Sequence, residues 1–376
     1  MNSKVLFVYD YFYPAYQAGG IVQSLYNLET ELKDKFDVKF ICSTQDLSGE
    51  KIDVNKYLCN GIYINKTKII STLKNVDKAQ LGCVYLNGIF SVHFFLIPLL
   101  YFKVFHPQIK LAIAPRGMLQ GGALSIRSSK KNLYLKLLKT AGLLNKVTWH
   151  ATDEQEILDI KKVMGAQANC VLAYNLPKKP LDKVQIIEKN NTTLRLVFLS
   201  LITEKKNLHL ILQSLQSIPF PVEFDIYGPI KDQDYWKSCQ KIYSELPSNC
   251  KVMYKGPINP VEVQNTLQQY HAFVLPSKGE NFGHAIYEAL SVGRPVIISN
   301  FTPWNNLKKS GAGWNIILNT EELYTALNDL QNLSQTNYTH YCQQAHQLAK
   351  DYFVISSNVE NYIKLFQTDL NKLNVE

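Results

Sequence analysis

Short apolar runs alternate with amphipathic stretches along the first half of the chain. Residues 4–10 (KVLFVYD) read as a strand, 19–35 (GGIVQSLYNLETELKDK) as a helix, and 37–43 (DVKFICS) as a strand again. The sequence continues with a strand at 83–88, an apolar helix over 88–105, a strand at 110–117, a basic helix over 126–139 and a strand at 146–152. Strands of this kind separated by helical stretches predict a parallel sheet covered on both faces. A polar stretch with Pro177 and Pro180 then interrupts the rhythm, and it reads as a linker over 176–193. The alternation restarts with strands at 194–200, 222–228, 252–256, 272–277 and 294–299 and helices at 207–217 and 260–270. The expected fold class is therefore α/β, with two Rossmann-like doubly wound parallel-sheet domains in tandem facing across a cleft.

Length agrees with that division, since 376 residues exceed what one hydrophobic core ordinarily serves. The expected domains are 1–175 and 194–355, with the C-terminal helix 356–376 completing the first. Hydrophobic residues make up 46% and charged residues 19%, so the chain is expected to fold throughout. Seven cysteines stand scattered, never as CxxC or at zinc-ligand spacing with histidine, which points to reduced structural thiols. The start, MNSKVLFVYDYFYPAYQ, enters a strand within four residues and has no apolar secretory core. A cytoplasmic location is the expectation. The apolar run 88–105 carries His93, Pro98 and Lys103, so it reads as a buried helix rather than a membrane span.

The net charge of +9 suggests an acidic partner, and part of the excess is local. Segment 126–139 (IRSSKKNLYLKLLK) sets Arg127, Lys130, Lys131, Lys136 and Lys139 among four leucines. It fits a peripheral helix resting on an anionic membrane surface on the inner face of the cell membrane. It fits equally a solvated helix whose leucines pack inward. A nucleic-acid-binding protein would instead want lysines clustered with exposed aromatics on a sheet face.

Candidate chemistry centres on residues 276–297, PSKGENFGHAIYEALSVGRPVI. No GxGxxG follows the first strand and no GxxxxGK[ST] occurs, so dehydrogenase and P-loop readings lose their support. The segment reads as strand, loop, helix, strand, which puts KGENFG at a strand's carboxyl end and at a helix amino terminus. Backbone N–H groups near Asn281, Phe282 and Gly283 form an anion site suited to a diphosphate. Glu288, on the helix, has two acceptor oxygens that match the vicinal hydroxyls of a ribose. Glu280, on the loop, points at whatever lies beyond the diphosphate. The plain alternative is a dipole-complementing Glu280 and a solvent-facing Glu288.

The whole string resembles the E-x7-E signature of retaining glycosyltransferases of family GT4, of the bacterial surface-polysaccharide type. Further matches are Gly19–Gly20, APRGML (114–119), FLSLITEKKNL (198–208), YGPIKDQDY (227–235), GPINPVEV (256–263), TPWNNL (302–307) and GAGW (311–314). The resemblance covers nearly the full length and implies the two-domain GT-B fold. It implies transfer of a sugar with retention from a UDP- or GDP-sugar donor to a glycan or polyprenyl-linked acceptor, with no metal or other cofactor and no nucleic acid partner. It also implies roles: Glu288 on the donor ribose, Glu280 on the transferred sugar, and Asn281, Phe282 and Gly283 on the diphosphate. Lys206, with Lys205, would neutralise the diphosphate charge, Gly19 and Gly20 would face it from the other domain, and Ile258 would lie near the base.

Two departures matter. Leu201 stands where the family usually has an arginine, leaving the two lysines to supply positive charge. Arg116 stands where many relatives carry a histidine, and it is expected to contact donor or acceptor rather than to move a proton. Asp232 and Asp234 are read as loop residues rather than metal ligands, His150 and His284 as satisfied hydrogen-bonding residues, and Trp304 as packing. A nucleotide-sugar epimerase or hydrolase of the same architecture is the enzymatic alternative.

Overall fold

The computed structural model describes residues 3–15, 18–47, 49–53, 61–121, 124, 128–189, 193–356 and 359–367. Arg127 of the basic segment and residues 368–376 of the expected C-terminal helix lie outside the described residues. The chain divides into one unit of residues 1–176 with 356–376 and a second of 177–355.

Among the described residues the first unit holds seven strands: β1 Lys4–Val8, β2 Asp37–Ser43, β3 Gly61–Ile64, β4 Leu81–Asn87, β5 Lys110–Ala114, β6 Thr148–Ala151 and β7 Cys170–Leu172. They pair in parallel in the order β3-β2-β1-β4-β5-β6-β7. Alternation along each strand sends neighbouring side chains to opposite faces. Leu6 and Val8 accordingly share one apolar cluster with Phe94, Leu99, Phe102, Leu135 and Leu138. Val5 and Phe7 join another with Leu25, Leu28 and Leu32 of the helix Gly20–Leu32 and with Tyr362, Leu365 and Phe366 of the helix Glu360–Phe366. That last helix thus closes one face of the first sheet although it follows the second unit in sequence.

The second unit holds β8 Leu194–Leu199, β9 Val222–Tyr227, β10 Cys250–Gly256, β11 Ala272–Leu275, β12 Val296–Ser299 and β13 Gly313–Ile316. All pairs are parallel, in the order β10-β9-β8-β11-β12-β13. This is the doubly wound Rossmann arrangement, whose order reverses between β8 and β11. The two sheets match the tandem parallel-sheet architecture expected from the alternation. Strands β3, β7 and β13 and the helices Ile69–Asn75, Glu154–Met164, Gln233–Ser244, Thr320–Gln331 and Gln335–Ser356 were not anticipated. Most are short or strongly polar, so hydrophobic spacing marks them weakly.

The segment after Leu176 lies against the second unit rather than running free as a linker. Leu181 N–H donates to Ser291 O (3.4 Å), Lys189 Nζ to Gln331 O (2.6 Å) and Leu333 O (3.0 Å), and His346 Nε2 bonds Leu181 O (2.7 Å). Arg294, fully buried, donates to Tyr338 Oη (3.2 Å) and to Gln185 O. The polar composition that reads as a linker is here consumed by buried backbone partners.

Among the described residues no helix is long and apolar enough to cross a membrane. The run 88–105 becomes a π-helical turn, Val92–Leu96, continuing into the helix Ile97–Phe105. Phe94, Phe95, Leu99 and Phe102 are buried, while Val104 and Phe105 are exposed. In the basic helix, Ser128–Thr140, Leu135 and Leu138 pack inward while Leu133 and Leu137 are each 59% exposed. Half of the leucines of this helix therefore pack inward and half remain exposed.

Candidate functional site

The reversal of strand order in the second sheet opens a crevice at the carboxyl ends of β8 and β11, where open α/β sheets bind ligands. The loop after β8 carries Lys205 and Lys206, and the loop after β11 carries residues 276–283. Backbone contacts lock the two loops together: Lys278 N–H donates to Lys205 O (2.8 Å) and Ser277 Oγ to the same oxygen (3.3 Å). Glu280 N–H donates to Phe301 O (3.0 Å), which ties the loop to the one after β12.

On this frame Lys206 Nζ donates to Glu280 Oε1 at 2.6 Å, with side chains 17% and 9% exposed. A nearly buried ion pair at this distance is held more firmly than one on the surface. The adjacent Lys278–Glu204 pair (2.7 Å) is exposed and contributes little. Desolvation pulls the Lys205 ammonium below its ordinary range, with Glu280 acting against that shift.

The helix His284–Ser291 starts at Gly283, whose φ of 79° lies in the left-handed region that glycine tolerates. Gly283 brings no side chain of its own to the first amides. The positive end of the helix therefore opens at the crevice, beside the two lysines. Phe282 turns its ring into a buried aromatic cluster with Tyr287, Trp304 and Tyr352, so only its backbone faces the site. Trp304 is buried and donates from Nε1 to Phe282 O (2.6 Å), which makes it a packing residue that fixes the loop.

Glu288 is the unusual group. It is 9% exposed, and no described residue donates a hydrogen bond to its carboxylate. Burial pushes the carboxyl up to about 7, and the charge of Lys178 only partly opposes this. The solvent-facing alternative for Glu288 is excluded by its burial. A nearly buried acceptor pair without donors is the complement of a ligand that brings hydroxyls.

Ile258 stands half-buried on the loop after β10, at the same carboxyl end of the sheet. Asp232 caps the helix Gln233–Ser244, accepting from Tyr235 N–H (2.9 Å), and Asp234 is an exposed partner of Lys237. Among the described residues, no group of three His, Cys, Asp or Glu side chains is placed to hold a metal ion.

The remaining sequence candidates lie in the first unit. Gly19 (φ 92°) caps the amino end of the helix Gly20–Leu32, beside the β1–β4 reversal of the first sheet, and Gly20 is exposed. Arg116 follows β5 and is 7% exposed. Its guanidinium donates to Asn87 Oδ1 (3.0 Å), Asn175 Oδ1 (2.8 Å) and Tyr85 Oη (3.0 Å). The contact expected with donor or acceptor meets a side chain already committed to the protein. His150 is fully buried, bonded to Tyr85 Oη and Ala173 O, and burial lowers it to about 3, so it stays neutral. Sequence reasoning passed over Asn87, Asn175 and Glu156. Glu156 is buried, accepting from Gly117 N–H (2.6 Å), Thr152 N–H (2.8 Å) and Thr152 Oγ1 (2.7 Å). Asn87, a polar residue ending a buried strand, was the one visible signal.

Residues 182–344 match the model of the family described as Glycosyl transferases group 1. No curated protein matches the chain. Among solved structures, the sucrose-phosphate synthase of Thermosynechococcus elongatus is similar with a TM-score of 0.75 at 13% identity, covering 97% of this chain and 99% of that one. HepE of Anabaena in complex with UDP and glucose gives 0.72 at 14% identity over 97% and 99% of the two chains. WaaG, a glycosyltransferase involved in lipopolysaccharide biosynthesis, gives 0.66 at 13% identity over 96% and 99%. The fold is GT-B, and the match of residues 182–344 to the glycosyltransferase group 1 model supports an enzyme of the glycosyl-transferring class, EC 2.4.

Proposed function

We propose that this protein transfers a sugar, with retention at the anomeric carbon, from a UDP- or GDP-sugar to a glycan or polyprenyl-linked acceptor in surface-polysaccharide synthesis. The observation that carries the donor assignment is Glu288: a carboxylate 9% exposed, lacking donors from the described residues, on the helix whose amino end opens beside Lys205 and Lys206. A ribose supplies two hydroxyls to Glu288, and the attached diphosphate reaches the helix amides of Asn281 to Gly283 and the lysines. Ile258 is assigned to the base, and the Gly19–Gly20 turn is assigned to phosphate binding. The HepE structures, with UDP and with UDP-glucose, show a relative of the same fold binding such a donor.

In the reaction the bond between the anomeric carbon and the diphosphate oxygen breaks, and the acceptor oxygen bonds that carbon from the same face. The acceptor proton passes to the departing phosphate. Negative charge grows on the leaving group, where Lys206 and the helix dipole meet it, and positive charge grows on the sugar ring, where Glu280 stands. Because Lys206 and Glu280 are already paired, both charges are positioned before substrate arrives. The chemistry requires neither a protein nucleophile nor a metal.

The acceptor side rests on the basic helix. Exposed Leu133 and Leu137 among Lys130, Lys136 and Lys139 suit an anionic bilayer that carries a lipid-linked acceptor, which makes the protein cytoplasmic and peripheral. The deciding experiment is a binding panel of UDP- and GDP-sugars with Glu288→Ala and Lys206→Ala. Both substitutions should weaken binding at least about tenfold without unfolding the protein. Full-strength binding by Glu288→Ala would sink the ribose role. Product analysis with and without acceptor separates transfer from epimerisation or hydrolysis.

A further inference from the structure

Arg116 occupies an expensive position. Its φ of 56° is left-handed, a region that a bulky residue enters at a cost of order 1 kcal/mol and keeps only when its surroundings hold it there. What holds it is a fork of three hydrogen bonds to neutral acceptors, all buried: Asn87 at the end of β4, Tyr85 within β4, and Asn175 just past β7. Asn175 Oδ1 accepts a second bond, from Ser24 Oγ of the helix Gly20–Leu32 at 2.9 Å. Asn27 Nδ2, one turn further, donates to Leu176 O (2.8 Å). The turn at 116–117 is itself pinned from below by Glu156 on Gly117 N–H.

We propose that Arg116 is a positioning residue: through the shared oxygen of Asn175 and through Ser24 it sets the Gly19–Gly20 end of the helix at the ligand-side edge of the first sheet. The carboxyl end of β4 and the loops after β5 and β7 meet in this strut, together with the helix that follows β1. The three bonds leave from three separate nitrogens of one rigid plane, a span that a single lysine ammonium cannot cover. The functional part of the inference rests on the substrate role proposed above for Gly19 and Gly20.

Hydrogen–deuterium exchange on the full chain tests the strut, and turnover tests its purpose. Arg116→Lys and Asn175→Leu should speed exchange of the Gly20–Leu32 amides about tenfold or more. Asn175→Asp, which keeps the shared acceptor, should stay within about threefold of wild type, and Ser24→Ala provides a milder break. With the UDP- or GDP-sugar found in the panel, kcat read as released nucleotide should fall about tenfold or more for Arg116→Lys and Asn175→Leu, with the donor KM within about twofold. Asn175→Asp should retain kcat. Unchanged helix exchange, or a raised donor KM in Arg116→Lys alone, overturns the proposal in favour of direct ligand contact. Faster exchange with unchanged kcat overturns the positioning role. If no nucleotide sugar binds wild type, the proposed function has failed, and the exchange data still decide whether the strut exists.

Discussion

Replacing Glu288 by glutamine isolates the charge at the centre of the candidate site. In the folded chain burial raises this carboxyl from its ordinary 4.5 to about 7. An acid whose folded value is raised costs stability when it ionises. The cost is absent below 4.5, grows as pH rises through the interval and is complete above about 7. At about 1.4 kcal/mol per pH unit this amounts to roughly 1 kcal/mol at pH 5.5 and roughly 3 kcal/mol at pH 8.5. Glutamine keeps the shape and removes the charge, so Glu288→Gln should be more stable than wild type, by a margin that widens with pH. For a unit of this size the margin at pH 8.5 is on the order of 5–10 °C in Tm. Tryptophan fluorescence follows the relevant unit, because Trp236, Trp304 and Trp314 lie in it and only Trp149 lies in the other. Thermal melts at the two pH values, with and without UDP and GDP, give the answer. The variant should be stabilised yet lose the shift that nucleotide confers on wild type. A variant no more stable than wild type at pH 8.5, or a margin that does not change with pH, would refute the reasoning.

Nucleotide-sugar affinity of the wild type should fall as pH drops below about 7, because Glu288 takes a proton and loses acceptor capacity, and this dependence should vanish in Glu288→Gln; titration calorimetry across pH 5.5–8.5 checks both. Gly228→Ala should destabilise the second unit by about 2–4 kcal/mol in chemical denaturation, since φ is 132° and a Cβ there would stand 1.8 Å from Ser200 O. In the basic helix, Leu135→Ala should cost about 2–5 kcal/mol, whereas Leu137→Glu should leave stability within about 0.5 kcal/mol and abolish flotation with anionic vesicles. Flotation that survives Leu137→Glu would remove the helix from the membrane contact.

The paired glutamates illustrate how far a linear reading reaches. Their place at the end of a strand and on the following helix is local, and the order of apolar runs, glycines and helix-forming residues marks it. That Glu280 pairs with Lys206, 74 residues earlier, is a consequence of β8 and β11 being neighbours, which no local signal states. Glu288 on its own helix looks like one more polar residue. Its burial comes from the neighbours that close over it. Arg116 shows the complementary case: a conspicuous cation beside glycine suggested a ligand contact, and the fold surrounds it with Tyr85 and Asn87 of β4 and with Asn175 from beyond β7.

By itself the sequence determined the α/β alternation, the two tandem sheets and the loop–helix unit that carries Asn281 to Glu288. Those features depend on period, turn chemistry and helix ends, which act over a few residues. Tertiary structure alone decided which carboxylate is desolvated, which one pairs with Lys206 and which side chains hold Arg116. Burial and electrostatic coupling depend on distances in space, and chain order constrains those only after strands have chosen their neighbours.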